Sequence, residues 1–342
     1  MFWNNRLTQK NNTPEIDLPV RLRRLRKTSA MRSLVRETDL SPRHLVLPLF
    51  VKEGLDEPEP IDAMPGVNRL PETYLEDAVQ QAWAAGIKAV ILFGVPASKD
   101  EEGSDTWAEN GLMARTVRLA KKAVPEMTVI TDNCFCAYTT HGHCGVLVSD
   151  HVDNDLTLQN LQKQAVVAAE AGADMVAPSA MMDGQVMAIR DALDITGFAD
   201  VGILTYASKF SSALYGPFRA ATDCGVEGGR HTYQLDPANG RQALMESVLD
   251  EEEGADMLMV KPAGGYLDVI QTLRHKSNLP VAAYQVSGEY AMMKLAAQNG
   301  LVNEKEMVLE SLTSLRRAGA DFIITYNALN ACHWLKEENN HG

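Results

Sequence analysis

The chain lacks the features that mark membrane and secreted proteins. It contains no apolar run near the roughly 18 residues that a membrane-spanning helix needs. Met1, Phe2 and Trp3 are followed directly by polar residues, so the start has no apolar segment of a secretory signal peptide. Five cysteines, an odd number, do not form a disulfide framework. The sequence therefore predicts a cytoplasmic protein in a reducing compartment, with no membrane partner.

The chain also lacks low-complexity segments and linkers rich in proline, glycine or serine. Its 342 residues, 45% hydrophobic and 23% charged, suffice for one large barrel or two ordinary domains. The formal net charge is −13, but residues 1–36 hold nine Lys or Arg against two acidic residues. This distribution leaves a charge of −20 on residues 37–342.

The basic N-terminal arm, residues 1–36, admits three interpretations. Such an arm can bind nucleic acid, but its basic stretch has no aromatic residue and adjoins a strongly acidic body. A solvated tail is the simplest alternative. The contrast in charge favours an arm that lies on the acidic surface of a neighbouring subunit. We therefore predict a homo-oligomer with no nucleic-acid partner.

Short apolar, β-branched runs alternate with longer stretches of helical spacing from residue 44 onward. Eight runs are predicted as strands: 44–51, 89–95, 128–134, 175–179, 202–209, 257–261, 281–286 and 322–326. Seven stretches are predicted as helices: 71–86, 111–124, 160–173, 242–253, 267–276, 289–299 and 304–318. Ala-Gly precedes three of the strands, where glycine suits the left-handed end of a helix.

Eight such units predict an α/β fold, a (β/α)8 TIM barrel over residues 37–342 with the extended N-terminal arm before it. A doubly wound open sheet is the alternative, but no Gly-x-Gly-x-x-Gly follows any predicted strand. Functional residues of a TIM barrel lie at the C-terminal ends of its strands. Polar residues at or just after these ends are Asp132, Ser179, Lys209, Lys261, Ser287 and Tyr326.

Lys261 ends a fully apolar strand and is followed by Pro262. Burial there would lower the pKa of its ammonium group, and Lys209 on the neighbouring strand would lower it further. A neutral amine attacks a ketone to form a Schiff base. A lysine can instead extend its charged end to solvent at the barrel rim. Two lysines at adjacent strand ends favour catalysis over that alternative.

The segment 210–240, after the fifth strand, shows little helical or strand pattern and is predicted to be a lid. It carries Arg219, Arg230 and Gln234. Arginines over a pocket suit bidentate binding of a carboxylate.

Cys134, Cys136 and Cys144 lie within eleven residues, with His141 and His143 beside them. Three thiolates and an open fourth position form a catalytic zinc site, and either histidine could close it as a structural site. A chance spacing of buried cysteines is the simpler interpretation, but two glycines indicate a loop rather than core. Together the residues predict a zinc-assisted Schiff-base enzyme for a keto compound that carries a carboxylate.

Six stretches of the sequence form motifs in a characteristic order: 132–145, 177–184, 209 with 215–219, 259–263, 284–290 and 325–326. With these motifs the chain resembles, over nearly its whole length, the delta-aminolevulinic acid dehydratase family, also called porphobilinogen synthases. The resemblance implies a (β/α)8 lyase that joins two 5-aminolevulinate molecules into porphobilinogen with loss of two waters. This reaction is an early step of tetrapyrrole and haem synthesis. The resemblance also implies a homo-octamer of dimers held by their arms.

The resemblance further implies roles for single residues. Lys261 and Lys209 match the two Schiff-base lysines, for the propionate-side and the acetate-side substrate respectively. The implied ligands of the acetate-side carboxylate are Arg219, Arg230 and Gln234. The implied ligands of the other carboxylate are Ser287 and Tyr326.

Metal ligands are implied in the same way. The three clustered cysteines match the zinc site of the zinc-dependent members, which makes the two neighbouring histidines loop residues. Glu246, on the helix after the lid, matches a carboxylate that in many members binds a stimulatory magnesium at the subunit interface.

Two other functions are compatible with part of this sequence pattern. A class I aldolase-type lyase would use one Schiff-base lysine and a structural zinc on the same barrel. The chain has no Gly-rich phosphate loop after the seventh and eighth strands, which argues against a sugar-phosphate aldolase. A non-catalytic zinc-storage protein would have no use for two strand-end lysines and a lid.

Overall fold

The computed structural model describes residues 7–10, 13–16, 19–225 and 229–340. Parts of the predicted arm (1–6, 11–12 and 17–18) and of the predicted lid (226–228) lie outside the described residues. The chain divides into two compact units, residues 1–39 and 40–342. The first unit contains an antiparallel hairpin and two short helices: Leu7–Lys10 with Thr13–Ile16, the 3-10 helix Leu22–Arg26 and the α-helix Ser29–Leu34.

Eight parallel strands form a closed barrel in the second unit. Their bounds are β1 Leu45–Lys52, β2 Ala89–Val95, β3 Thr128–Asn133, β4 Met175–Pro178, β5 Gly202–Lys209, β6 Met257–Lys261, β7 Val281–Gln285 and β8 Phe322–Thr325. Neighbours in this order pair in parallel, and β8 pairs with β1 to close the barrel. The predicted strands agree with these bounds to within one residue, and the predicted α/β barrel is confirmed.

Eight helices surround the barrel. Their bounds are α1 Glu72–Ala85, α2 Leu112–Ala123, α3 Asn154–Glu170, α4 Gln185–Ile195, α5 Gly240–Glu252, α6 Leu267–Lys276, α7 Glu304–Ala318 and α8 Ala328–Asn340. Two further helices lie at the C-terminal end of the strands, Gly216–Ala221 and Ser287–Gln298. The residues that the structure describes contain no helix long and apolar enough to cross a membrane.

Shorter elements fill the connections. A hairpin of Glu59–Pro60 and Asn68–Leu70 pairs with the end of β1, and a second joins Leu147–Val148 to His151–Val152. The described part of the barrel unit contains four 3-10 helices: Pro42–His44, Ser104–Trp107, Ala213–Tyr215 and Gly264–Tyr266.

The helix predictions were less accurate than the strand predictions. The sequence did not predict α4, α8 or the helix Gly216–Ala221, which lies inside the segment expected to lack regular structure. The helix α3 begins six residues before its predicted start, because the side chain of Asp153 accepts a hydrogen bond from the backbone of Leu156 and caps it. The predicted left-handed glycines are confirmed, with φ of 100° at Gly86 and Gly172 and 118° at Gly319.

The apolar core has two layers. One fills the barrel interior and the other separates the strands from the helices. Successive residues of β6 alternate between them, since Met259 lies inside while Leu258 and Val260 face the helices. This alternation fixes which strand-end side chains point into the barrel.

Candidate active site and metal centre

Lys209 and Lys261 lie opposite each other because of an irregularity in β5. The register of β5 against β6 shifts by one residue between Thr205 and Ser208, which is a β-bulge. Tyr206 points into the barrel, so strict alternation would direct Lys209 outward, towards the helices. The bulge instead turns Ser208 towards α5 and pairs Lys209 with Lys261. Both lysines therefore end inside the barrel.

Lys261 is surrounded by aromatic rings. Its side chain is buried, and its Nζ lies 4.2 Å from the ring centroid of Tyr284, 4.8 Å from Tyr206, 5.2 Å from Phe218 and 5.5 Å from Tyr215. Burial, and secondly the charge of Lys209, lower the pKa of Lys261 to about 7. A large fraction of this amine is therefore neutral near pH 7.

Lys209 is buried beside it and is held by backbone. Its Nζ donates a hydrogen bond to the carbonyl oxygen of Ser179, at the end of β4. Asp132, at the end of β3, lines the same cavity, and its Oδ1 has no hydrogen-bond partner. Burial raises the pKa of Asp132, while the charges of the two lysines oppose that shift. An acidic and two basic groups thus share one cavity.

The three clustered cysteines converge as the sequence predicted. Their Sγ atoms lie within 4.8 Å of one another, and those of Cys134 and Cys136 are 3.6 Å apart. Zinc with four tetrahedral ligands at about 2.3 Å places two sulfurs roughly 3.8 Å apart, so the group fits a zinc ion. Hydrogen bonds from Cys134 and Cys144 lower the pKa of Cys136 well below its ordinary value. This group of buried cysteines could hold a metal.

The two neighbouring histidines make other contacts. His141 Nδ1 accepts from the backbone of His143 at 3.0 Å, and His143 Nδ1 lies 3.1 Å from the hydroxyl of Tyr233. A buried sulfur that the sequence analysis missed lies nearby, since Cys224 affects the pKa of Cys136. Because Cys224 lies some eighty residues along the chain, spacing carried no signal for it.

The predicted carboxylate ligands of the lid are brought only partly together. Arg230 is buried in the lysine cavity, where Nη2 donates to the carbonyl of Gly142 at 2.9 Å and its Nε has no partner. The Nε of Arg219 and both amide atoms of Gln234 are also buried without a partner. Gln234 does not line the lysine cavity but a second cavity, which Glu246 also lines. Since buried polar groups normally have partners, these atoms are suited to bind a polar ligand.

Ser287 and Tyr326 each contact a residue whose ring lies near Lys261. The hydroxyl of Tyr326 is 3.1 Å from that of Tyr284, whose ring contacts Lys261. Ser287 Oγ accepts from the backbone nitrogen of Phe218 at 3.0 Å, at the beginning of the helix Gly216–Ala221. In this structure Ser287 therefore binds the lid segment.

Glu246 lies half-buried on α5 and lines a separate cavity of about 670 Å³ with Asp183, Asp236 and Asp250. Burial raises the pKa of Glu246, and nearby acidic groups including Asp183 raise it further. Burial likewise raises the pKa of Asp250 to about 7. Among the described residues, only the three cysteines bring three ligand atoms within 4.8 Å of one another. The acidic residues of this cavity therefore do not form a metal site made of protein ligands alone.

Comparison with known proteins connects this geometry to a family. The sequence pattern of the family "Delta-aminolevulinic acid dehydratase" matches residues 19–334. The Escherichia coli (strain K12) protein of that name is 56% identical over 314 residues, 92% of this chain and 97% of the relative. The protein of that name from Mycobacterium tuberculosis is 52% identical over 319 residues, 92% of this chain and 97% of the relative.

A solved structure agrees with the sequence matches. The crystal structure of delta-aminolevulinic acid dehydratase (porphobilinogen synthase) from Toxoplasma gondii, in complex with the reaction product porphobilinogen, superimposes with a TM-score of 0.93 at 46% identity. The match covers 96% of each chain. The resemblance seen in the motifs is confirmed: the chain belongs to the delta-aminolevulinic acid dehydratase family of hydro-lyases.

Proposed function

We propose that this enzyme condenses two molecules of 5-aminolevulinate into porphobilinogen with loss of two waters, through Schiff bases on Lys209 and Lys261. The observation that carries the proposal is the pairing of two buried lysines in one cavity with Asp132, whose Oδ1 has no hydrogen-bond partner. The product bound to the Toxoplasma relative supports the identity of the reaction. In the cell this would be an early, cytoplasmic step of tetrapyrrole and haem synthesis.

Each lysine has a defined task in this reaction. The neutral Nζ of Lys261 attacks the ketone carbon of one substrate, and loss of water from the protonated adduct gives an iminium. Lys209 forms the second iminium. An iminium withdraws electrons from the adjacent carbon, so a proton there is lost more easily and a carbon–carbon bond can form. Asp132 Oδ1 can accept or return a proton in the cavity, since burial raises the pKa of this carboxyl group.

The lid and its surroundings supply the carboxylate ligands. Arg219, Arg230 and Gln234 would bind the acetate-side carboxylate, and Ser287 with Tyr326 the other. The cavity between the lysines has a volume of about 20 Å³, about that of one water molecule. Substrate entry therefore requires the lid to move. That movement would free Ser287 from the backbone of the lid helix, Gly216–Ala221.

Two metals would serve the enzyme. Zinc held by Cys134, Cys136 and Cys144 would supply a Lewis acid beside the acetate-side substrate. Magnesium would bind at Glu246 mainly through water, as this ion commonly does with one or two carboxylates. In the homo-octamer that we propose, Glu246 would lie in a subunit interface. The proposal includes no nucleic-acid partner.

Product formation tests the proposal. The zinc-loaded protein is mixed with 5-aminolevulinate, and porphobilinogen is measured by its colour reaction. We expect product from the unsubstituted chain and none above background from Lys209→Ala or Lys261→Ala. Lys122→Ala, which removes an exposed lysine of α2, should keep full activity. An aldolase-type lyase or a zinc-storage protein would make no porphobilinogen.

A further inference from the structure

Two cations hold the C-terminal end of the short helix Gly216–Ala221. The last carbonyls of any helix lack partners within the helix. Here Arg69 supplies the missing donors. Its Nε donates to the carbonyl of Ala221 at 2.7 Å, and its Nη2 donates to that of Ala220. Arg69 is only 8% exposed, so these charge-assisted hydrogen bonds are largely shielded from water.

Lys99 continues the same arrangement. Its Nζ donates to the carbonyl of Asp223 at 2.8 Å and lies 3.5 Å from that of Thr222. The carboxylate of Asp223 returns to Arg69, with Oδ1 2.9 Å from Nη2. Four consecutive carbonyls, from residue 220 to residue 223, are thus bound by the cationic clamp, which consists of Arg69 and Lys99.

Two carboxylates and a third cation form ion pairs around the clamp. Glu59 Oε2 lies 2.8 Å from Arg69 Nη1, and Lys52 Nζ lies 3.1 Å from both Glu59 and Asp223. Arg69 and Lys99 follow β1 and β2, so they belong to the catalytic end of the barrel. The proposed chemistry uses none of these residues.

The helix that the clamp holds forms part of the cavity wall. Phe218 lies 5.2 Å from Lys261 Nζ and packs edge-on against Phe93 on β2, with ring centroids 5.3 Å apart. Arg219, the next residue, is a proposed carboxylate ligand. At the other end of the helix Ser287 holds the backbone of Phe218. A shift at the clamped end would therefore move both Phe218 and Arg219.

We propose that Arg69 and Lys99 are positioning residues that hold the lid helix so that Arg219 meets the substrate carboxylate. This inference rests on the proposed function, because it takes Arg219 on this helix as a ligand of the carboxylate of 5-aminolevulinate. The clamp touches neither the lysines nor the metal ligands. Its loss should therefore weaken substrate binding much more than it slows the chemical steps.

The test compares Arg69→Gln and Lys99→Gln with a matched control. Arg274→Gln removes another arginine that contacts a backbone carbonyl, that of Leu279, and a carboxylate, that of Asp321, at the opposite end of the barrel. We expect both clamp variants to raise KM for 5-aminolevulinate about tenfold and to change kcat less than threefold, because binding of a carboxylate is lost. The conservative variant Arg69→Lys should have a KM between those of Arg69→Gln and the unsubstituted chain.

Amide hydrogen exchange provides a readout that does not depend on activity. The amides of Thr222 and Cys224 bond to the carbonyls of Phe218 and Arg219, both at 3.0 Å. These amides should exchange faster in the clamp variants, and their exchange rates should not change in Arg274→Gln. Lys99→Gln leaves no buried carboxylate unpaired, so it decides the matter if Arg69→Gln does not fold.

Unchanged KM and exchange in Lys99→Gln and Arg69→Gln would overturn the proposal, as would equal effects in the control. A parallel loss of kcat and thermal stability would also overturn it, because that pattern belongs to a general structural role. If the unsubstituted chain makes no porphobilinogen, the proposed function fails, and the exchange comparison alone still decides whether the clamp holds the helix.

Discussion

At the scale of single residues, opposing effects act on Lys261. Four aromatic rings within 5.5 Å attract an ammonium ion and so favour its charged form. Burial and the neighbouring Lys209 favour the neutral form, and they prevail, since the pKa falls to about 7. In the proposed reaction the rings would mainly exclude water from the amine of Lys261.

Lys261 should form a covalent imine with 5-aminolevulinate. Borohydride in the presence of substrate should add a substrate-sized mass to Lys261, as measured by peptide mass spectrometry, and Lys261→Ala should lose several orders of magnitude in kcat. The neutral fraction of an amine rises with pH through its pKa. The initial trapping rate should therefore rise between about pH 6 and 8 and then level off. Adducts confined to surface lysines would show that the assignment is wrong.

The cysteines lead to a prediction about metal content. Cys136→Ala should lose bound zinc, measured by elemental analysis, and should lose activity, because two thiolates hold the ion less tightly than three. Chelation of the unsubstituted protein should abolish activity, and zinc, but not magnesium alone, should restore it. Cys332→Ala is the control, since Cys332 is buried in α8 away from the cluster. Full activity of the metal-free protein would rule out this role for zinc.

At the scale of elements, strands were easier to predict than helices. The barrel strands are short apolar runs between polar turns, and this signal is strong for strands buried on both faces. In α4 the apolar stripe of Val186, Ile189 and Leu193 has helical spacing and could have been recognised. In α8 the buried residues Ala328 and Ala331 are small and give little contrast with the polar face.

The position of Lys209 could not be predicted from periodicity. The bulge in β5 contains neither glycine nor proline, so nothing in its sequence marks the change of register. Only the rule that functional residues end the strands, together with the motifs, indicated this lysine. The clamp was also missed, because Arg69 contacts residues about 150 positions away in the chain.

Gly94, near the end of β2, leaves no room for a Cβ beside Tyr138. A Cβ there would overlap the hydroxyl of Tyr138 and lie 3.3 Å from Leu112. Gly94→Ala should therefore lower the free energy of unfolding by about 1–3 kcal/mol. It should also weaken zinc binding, because Tyr138 follows Cys136 by two residues. Chemical denaturation and zinc titration measure the two effects.

The rescue of this variant identifies the cause. The hydroxyl of Tyr138 is buried without a partner, so Tyr138→Phe alone should change stability little. Combined with Gly94→Ala, it removes the overlapping oxygen and should restore most of the lost stability. Equal destabilisation by Gly94→Ala in both backgrounds would refute the steric explanation.

At the scale of the whole molecule, closure of the barrel brings distant residues together. Asp132, Lys209 and Lys261 come from three different strands and share one cavity because all strands run the same way. That topology was predictable from the alternation of elements. The exact cavity shape was not, because it depends on the lid helix and on contacts between segments far apart in sequence.

The basic arm should control assembly. Residues 1–36 carry a charge of +7 and the remainder −20. Large apolar side chains of this region are also exposed, namely Val20, Leu22, Leu25, Leu34 and Val35. A basic and apolar segment of this kind suits docking on the acidic body of another copy, and closed symmetric assemblies are the common result. We therefore expect removal of residues 1–30 to give smaller assemblies with low activity, because a lid without support from the interface closes poorly.

Light scattering and a rate measurement on the truncated protein test this expectation. A full-length variant with Arg21, Arg23, Arg24 and Arg26 changed to glutamine separates charge from length. If electrostatic attraction drives docking, this variant should also dissociate, and raised salt should promote dissociation of the unsubstituted assembly. If apolar contacts dominate, the glutamine variant should keep its size while the truncated protein does not. A truncated protein of full size and full activity would mean that the arm contributes nothing to assembly or to the lid.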